Sequence, residues 1–185
     1  MMTELSLNVL DVVQNSIRAN ANLIEIRVEI NNAQDRLTIS ISDNGCGMTE
    51  EQLKKVEDPF YTTRTTRSVG LGIPFFKHAA EITGGKFAIT SKPGKGTAIT
   101  AEFVLSHIDR MPLGDMTSTI HALVTLNTEI DFIYVYQVDE KSFTLDTREL
   151  REILGDMPFN LPEISSYIKD YLKENHMEID AGRNF

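Results

Sequence analysis

The sequence predicts an α+β protein, and three observations carry that expectation. An amphipathic helix opens the chain, two strand pairs follow with helices between them, and the C-terminal part mixes short strands and helices again. Adjacent strands read as hairpins instead of alternating one by one with helices, which is the pattern of the α+β class.

From Glu4 to about Ala19, the residues Leu5, Val9, Leu10, Val12, Val13 and Ile17 recur at helical spacing, while Asn8, Asp11, Asn15 and Arg18 form a polar stripe on the opposite face. Next, Ile24, Ile26, Val28 and Ile30 alternate with Glu25, Arg27 and Glu29, and then Leu37, Ile39 and Ile41 with Thr38, Ser40 and Ser42. With a polar turn over 31–35 this is an antiparallel hairpin, each strand burying one face. Asp43-Asn44-Gly45-Cys46-Gly47 ends the second strand, and Thr49 and Gln52 have capping-box spacing ahead of a short helix to about Val56. Asp58-Pro59-Phe60 breaks that helix. Tyr61 to Ser68 is a loop rich in threonine and arginine before Gly70-Leu71-Gly72. Leu71, Phe75, Phe76, Ala79 and Ile82 mark another helix that Gly84-Gly85 stops. Strands over 86–92 and 97–105 join at Pro93-Gly94-Lys95-Gly96.

The texture changes at Met111-Pro112-Leu113-Gly114. Residues 107–115 read as a linker between a domain over 1–106 and a small α+β appendage over 116–185. In the appendage we expect a helix over 117–126, strands over 132–138 and 142–145, and helices over 148–154 and 163–175, with Phe132, Tyr134, Tyr136 and Phe143 as its core.

Composition narrows the classes. A chain of 185 residues, 41% hydrophobic and 24% charged, suits one soluble domain with a short addition. No apolar run approaches the roughly 20 residues that cross a bilayer, and residues 1–7 lack a signal-type segment. The expected location is the cytoplasm, with no membrane partner. One cysteine, Cys46, excludes an intramolecular disulfide or a cysteine-based zinc site, and its expected role is a small buried filler. A formal charge of -9 disfavours a nucleic-acid partner, because that affinity comes from lysine and arginine neutralising phosphates. His78, His107, His121 and His176 lack ligand spacing and read as surface or capped residues.

Several segments carry chemistry. A polar helix stripe is usually only a solvated face, yet two amides and a carboxylate at Asn8, Asp11 and Asn15 replace the lysines and glutamates that would solvate a helix with better propensity. Such oxygens suit a hard cation sharing its ligands with phosphates. Asp43 to Gly47 could be a plain strand-ending turn. Its glycines would also let backbone approach a flat ligand, and the carboxylate would accept a hydrogen bond from an exocyclic amine such as that of adenine. Gly70-Leu71-Gly72 opens a helix, where backbone donors and the helix N-terminus attract an anion, and Arg64 and Arg67 lie just upstream.

These segments occur in the order and approximate spacing of the gyrase, heat-shock chaperone, histidine kinase and mismatch-repair (GHKL) ATPase superfamily. The run Leu10 to Arg18 resembles its N box, Asp43 to Met48 its first glycine box, and Asp58 to Arg64 the F box of histidine kinases. Gly70 to Ile73 resembles the second glycine box and Gly94 to Thr97 the last. The resemblance covers about residues 4–105 and implies a two-layer sandwich, the Bergerat ATP-binding fold, with a mixed sheet, helices on one face, and ATP held between helices and a lid over 62–68. It implies that Asn15 binds Mg²⁺, Asp43 recognises adenine and Thr97 supports it. Gly45, Gly47, Gly70 and Gly72 would allow close approach, Arg18 and Arg64 would meet phosphate oxygens, and Phe60 and Leu71 would complete the nucleotide site.

Asp11 stands where hydrolytic members place a glutamate that orients the attacking water, so the carboxylate is kept but drawn back by one methylene. Only residues 1–3 precede the first helix, so a complete sensor kinase with its phosphoacceptor hairpin is not expected. The F box favours the kinase branch, while the N box also resembles mismatch-repair ATPases. Three readings follow: a histidine-kinase-like domain acting on a separate protein acceptor, a slow ATPase switch with Asp11 as base, and an ATP-sensing or anti-sigma-like binding module. A homodimer is common in the superfamily.

Overall fold

The computed structural model describes residues 3–56, 72–155 and 157–185. Helix α1 (Leu5–Arg18) is followed by the hairpin β1 (Leu23–Asn31) and β2 (Arg36–Asp43), then α2 (Glu50–Val56) and α3 (Gly72–Glu81). Strands β3 (Lys86–Lys92) and β4 (Gly96–Val104) form a second hairpin. The C-terminal region supplies α4 (Met116–Leu126), β5 (Asp131–Val138), β6 (Lys141–Asp146), α5 (Thr147–Leu154) and α6 (Pro162–Asp180).

The strands make one six-stranded mixed sheet in the order β3-β4-β2-β1-β5-β6. Neighbours are antiparallel except β1 and β5, which run parallel with Ile24 opposite Phe132 and Val28 opposite Tyr136. Alternation decides the layers. Ile24, Ile26, Val28, Ile39, Ala101, Phe103 and Tyr134 point into one buried face, on which α1, α3, α4 and α6 pack. Glu25, Arg27, Thr38 and Ser40 lie on the other. This is the two-layer α+β sandwich expected from the sequence.

The region after residue 115 does not form a layer of its own. β5 extends the sheet from β1, and its Phe132, Tyr134 and Tyr136 belong to the same continuous core as Ile24, Val9 and Phe76. The signal lay in β5 itself: Val135 is also buried, at 7% exposed, so this strand is apolar on both faces as an interior strand is. Residues 112–113 act as more than a linker. The carbonyls of Pro112 and Leu113 accept the N–H groups of Leu5 and Ser6 and so cap the start of α1, while the Leu113 N–H donates to the Phe185 carbonyl.

Two side chains depart from expectation. α6 runs to Asp180, beyond the anticipated end near Asn175, because its last turns still bury Ile179 and seat His176. The His176 ring stacks on Tyr136 with centroids 3.9 Å apart, and its Nε2 lies 3.0 Å from the Tyr134 hydroxyl. It is thus a half-buried, hydrogen-bonded residue packed against the core and not a freely solvated one, and burial depresses its pKa to about 4 against the opposing pull of Asp180 and Asp115. Cys46 is exposed and not a buried filler, since the backbone on either side of it does the docking.

Candidate functional site

The sequence-predicted residues that are described converge at one end of the sheet. Asp43 is the last residue of β2 and pairs in register with Thr97 on β4, which in turn pairs with Ser91 on β3. By strand parity Asp43 and Thr97 share the inner, helix-covered face with Ile41 and Ile99. The C-terminal turn of α1 brings Asn15, Ser16 and Arg18 to the same end.

Asp43 is held by two donors. The Ser16 hydroxyl donates to Oδ2 at 2.6 Å and the Gly45 N–H to Oδ1 at 2.9 Å. Ser16 is buried and Asp43 half-buried, so a short charge-assisted bond fixes the carboxylate while leaving it partly open. Sequence reading passed over Ser16, whose partner lies 27 residues away, although a hydroxyl on the apolar side of an amphipathic helix is a signal that it has one.

The glycine loop is anchored on both sides. The Cys46 N–H donates to the Ala19 carbonyl at 2.8 Å, and the Gly94 N–H donates to the Cys46 carbonyl at 2.8 Å. Ser91 Oγ accepts the Met48 N–H at 2.8 Å and lies 2.8 Å from Thr97 Oγ1, a second contact missed from sequence. Two glycines are required by this docking. Gly47 has φ +67 and a Cβ there would stand 2.0 Å from the Lys92 carbonyl oxygen. Gly96 has φ +90 and a Cβ would stand 1.8 Å from the Asp43 carbonyl oxygen.

Along α1, Asn15 is half-buried and its Oδ1 accepts a 3.3 Å hydrogen bond from Arg18 Nη1. Asp11, one turn earlier, is exposed, and α3 begins against it: a Cβ on Gly72 would come 3.0 Å from Asp11 Cβ and 3.4 Å from Asp11 Oδ2. Asn8, placed by sequence on the polar stripe, is 0% exposed, and neither its Oδ1 nor its Nδ2 has a hydrogen-bond partner. Such an amide costs on the order of 1–3 kcal/mol. Gly45, Gly47, Gly72, Asp11, Asn15, Arg18, Asp43 and Thr97 therefore lie on elements that meet at this end. Phe60, Arg64, Gly70, Leu71 and the expected lid fall outside the described residues. The Thr49/Gln52 capping box forms reciprocally, with Thr49 N–H donating to Gln52 Oε1 at 2.9 Å and Gln52 N–H to Thr49 Oγ1 at 3.2 Å.

Residues 3–107 match the family described as "Histidine kinase-, DNA gyrase B-, and HSP90-like ATPase". The chain belongs to this ATPase family. Among its relatives, the "Sensor protein kinase FleS" of Pseudomonas aeruginosa is 37% identical over 105 residues, covering 57% of this chain and 25% of that protein. The "Sporulation kinase E" of Bacillus subtilis is 44% identical over 64 residues, 35% of this chain and 8% of that one. The "Sensor protein DegM" of a Bacillus species is 32% identical over 90 residues, 49% and 24%. The chain thus spans a quarter or less of these curated relatives. A solved structure titled "Crystal Structure of N terminal domain of a DNA repair protein" superposes with a TM-score of 0.59 at 18% identity, covering 96% of this chain and 57% of that one. That likeness is one of fold, and it takes in the region after residue 115. ATP binding and kinase-like chemistry are the properties of the histidine-kinase branch of this ATPase family. Among the described residues of this family member, no helix is long and apolar enough to cross a membrane.

Proposed function

We propose that this chain binds ATP with Mg²⁺ and passes the γ-phosphoryl group to a separate protein acceptor, as a histidine-kinase-like catalytic domain in the cytoplasm. The observation that carries the proposal is the Asp43 carboxylate, held by Ser16 and Gly45 beside Thr97 and facing the end of α1 that bears Asn15. Relatives that match part of this chain are named as a sensor protein kinase and a sporulation kinase.

In this reading Asp43 accepts the adenine amino N–H through a free lone pair, and Thr97 and the docked glycine loop line the adenine. Asn15 Oδ1 gives a metal one oxygen once Arg18 turns from it toward phosphate. The donor suits Mg²⁺: Asn15 Oδ1 is a single hard amide oxygen, and an ion held there would take its other ligands mainly from phosphate oxygens and water. Bound there, Mg²⁺ would neutralise charge on the phosphates as the bond from the γ-phosphorus to the β,γ-bridging oxygen breaks and ADP departs. Phe60, Arg64, Gly70 and Leu71 complete the proposed site, with the lid over 62–68.

The test is incubation with γ-labelled ATP and Mg²⁺ in the presence of fractionated cell extract. Label should enter a protein acceptor, and Asn15→Ala and Asp43→Asn should abolish it. Binding of ATP with no labelled protein in any fraction would refute phosphoryl transfer.

One observation favours a second reading, a slow ATPase switch. Asp11 lies against the start of α3, where its carboxylate can take a proton from water as the water oxygen attacks the γ-phosphorus and ADP leaves. Phosphate release that Asp11→Asn abolishes would support it, and unchanged release would remove it.

A further inference from the structure

Asn8 is the polar group that neither reading uses. It lies inside the molecule with both amide atoms unpaired, on the helix that carries Asp11 and Asn15. Leucine has the same branch at Cγ and, although it is larger, would bury there without an unpaired donor or acceptor, so burial alone gives no reason for an amide. Residues three apart on a helix are neighbours, and an amide and a carboxylate so spaced can hydrogen-bond. Among the described residues the Asp11 carboxylate has no hydrogen-bond partner. The start of α3 lies close along one flank of Asp11, where even a Cβ on Gly72 would come 3.4 Å from Asp11 Oδ2, and this limits the directions the carboxylate can take.

We infer that Asn8 is a positioning residue for Asp11: its amide N–H donates to the Asp11 carboxylate when nucleotide is bound and holds that carboxylate toward the attacking water. Hydrogen bonds of this kind are commonly open in the free protein and close in the reactive complex. The inference rests on the ATPase reading of Asp11. Water supplies the oxygen, Asp11 takes its proton, and ADP leaves with the electrons of the broken phosphorus–oxygen bond; Asn8 exchanges nothing.

The experiment is single-turnover phosphate release from Mg²⁺-ATP by the full chain, comparing wild type, Asn8→Leu, Asn8→Ser, Asp11→Asn and the Asn8→Leu/Asp11→Asn pair. Asn8→Leu should slow release about tenfold while ATP affinity changes by less than about twofold, because orientation and not binding is lost. The unfolding midpoint of Asn8→Leu should stay close to wild type, since removing an unpaired buried amide offsets the larger volume of leucine, so slower release would not reflect loss of the fold. Asn8→Ser, which keeps a small donor, should fall between wild type and leucine. In the Asp11→Asn background the leucine should change the rate by less than about twofold, as expected of residues that act as a unit. Release that depends on Asp11 but is unaltered in Asn8→Leu overturns this inference and leaves the ATPase reading standing. Wild-type release that does not depend on Asp11, or no release at all, overturns both.

Discussion

Removing the Ser16 hydroxyl separates the support of Asp43, the carboxylate proposed to recognise adenine, from the carboxylate itself. The bond is 2.6 Å long, joins a neutral donor to an anion, and has one partner buried and the other half-buried. Bonds to charged groups contribute about 1.5–3 kcal/mol, and the half-exposure of Asp43 brings the expected loss of stability in Ser16→Ala to about 1–2 kcal/mol. The effect on ATP affinity should be smaller, because the Gly45 N–H still holds Oδ1 and the proposed adenine contact would use another lone pair. A rise in Kd of about threefold to tenfold follows, equivalent to roughly 0.7–1.4 kcal/mol. Asp43→Ala, which removes the acceptor, should raise Kd by about tenfold to a hundredfold. Isothermal titration with ATP and with tripolyphosphate measures this, and the tripolyphosphate affinity should be unchanged in both variants. An ATP Kd in Ser16→Ala indistinguishable from wild type, with stability lost, would refute the view that Ser16 orients Asp43 for ligand and leave it a purely structural residue.

Gly47→Ala should destabilise by at least about 2 kcal/mol and weaken ATP binding about tenfold or more, since a Cβ collides with the Lys92 carbonyl at a positive φ; thermal unfolding and titration check both. Lowering the pH should cost stability through His176. The unfolded ring titrates near 6.5 and the folded one near 4, so the unfolded state binds the proton first and stability falls as pH drops from about 6.5 to about 4, by about 2–3 kcal/mol. His176→Phe should flatten that slope in denaturant titrations, and an unchanged slope would refute the assignment. Thr147→Val should cost about 1–3 kcal/mol, because the buried Thr147 Oγ1 accepts the Phe132 N–H at 2.8 Å and the loss strands that donor.

Local pattern carried most of the architecture. Alternation in Leu23–Asn31 and Arg36–Asp43 gave both the hairpin and its buried face, and the turn chemistry at 93–96 gave the second hairpin. The parallel pairing of β1 with β5 was not legible, since strands more than a hundred residues apart advertise apolarity and not a partner. In the site, Asp43, Thr97, Asn15 and the glycines were legible as residue types suited to a nucleotide. Ser16 and Ser91 were not, because a hydroxyl reveals its role only through the atom it meets across space. Asn8 read as part of a solvated stripe because helical periodicity gives an angle around the axis but not what covers that angle.

The capping of α1 by Pro112 and Leu113 has a mechanical consequence. The helix that bears Asp11 and Asn15 is gripped at its far end by a segment whose Leu113 N–H is itself tied to Phe185 beyond α6. A protein that grasps α6 and draws the chain's last residues outward would therefore pull on the handle of the helix whose other tip lies at the proposed nucleotide site, making the C-terminal region a lever with α1 as its shaft.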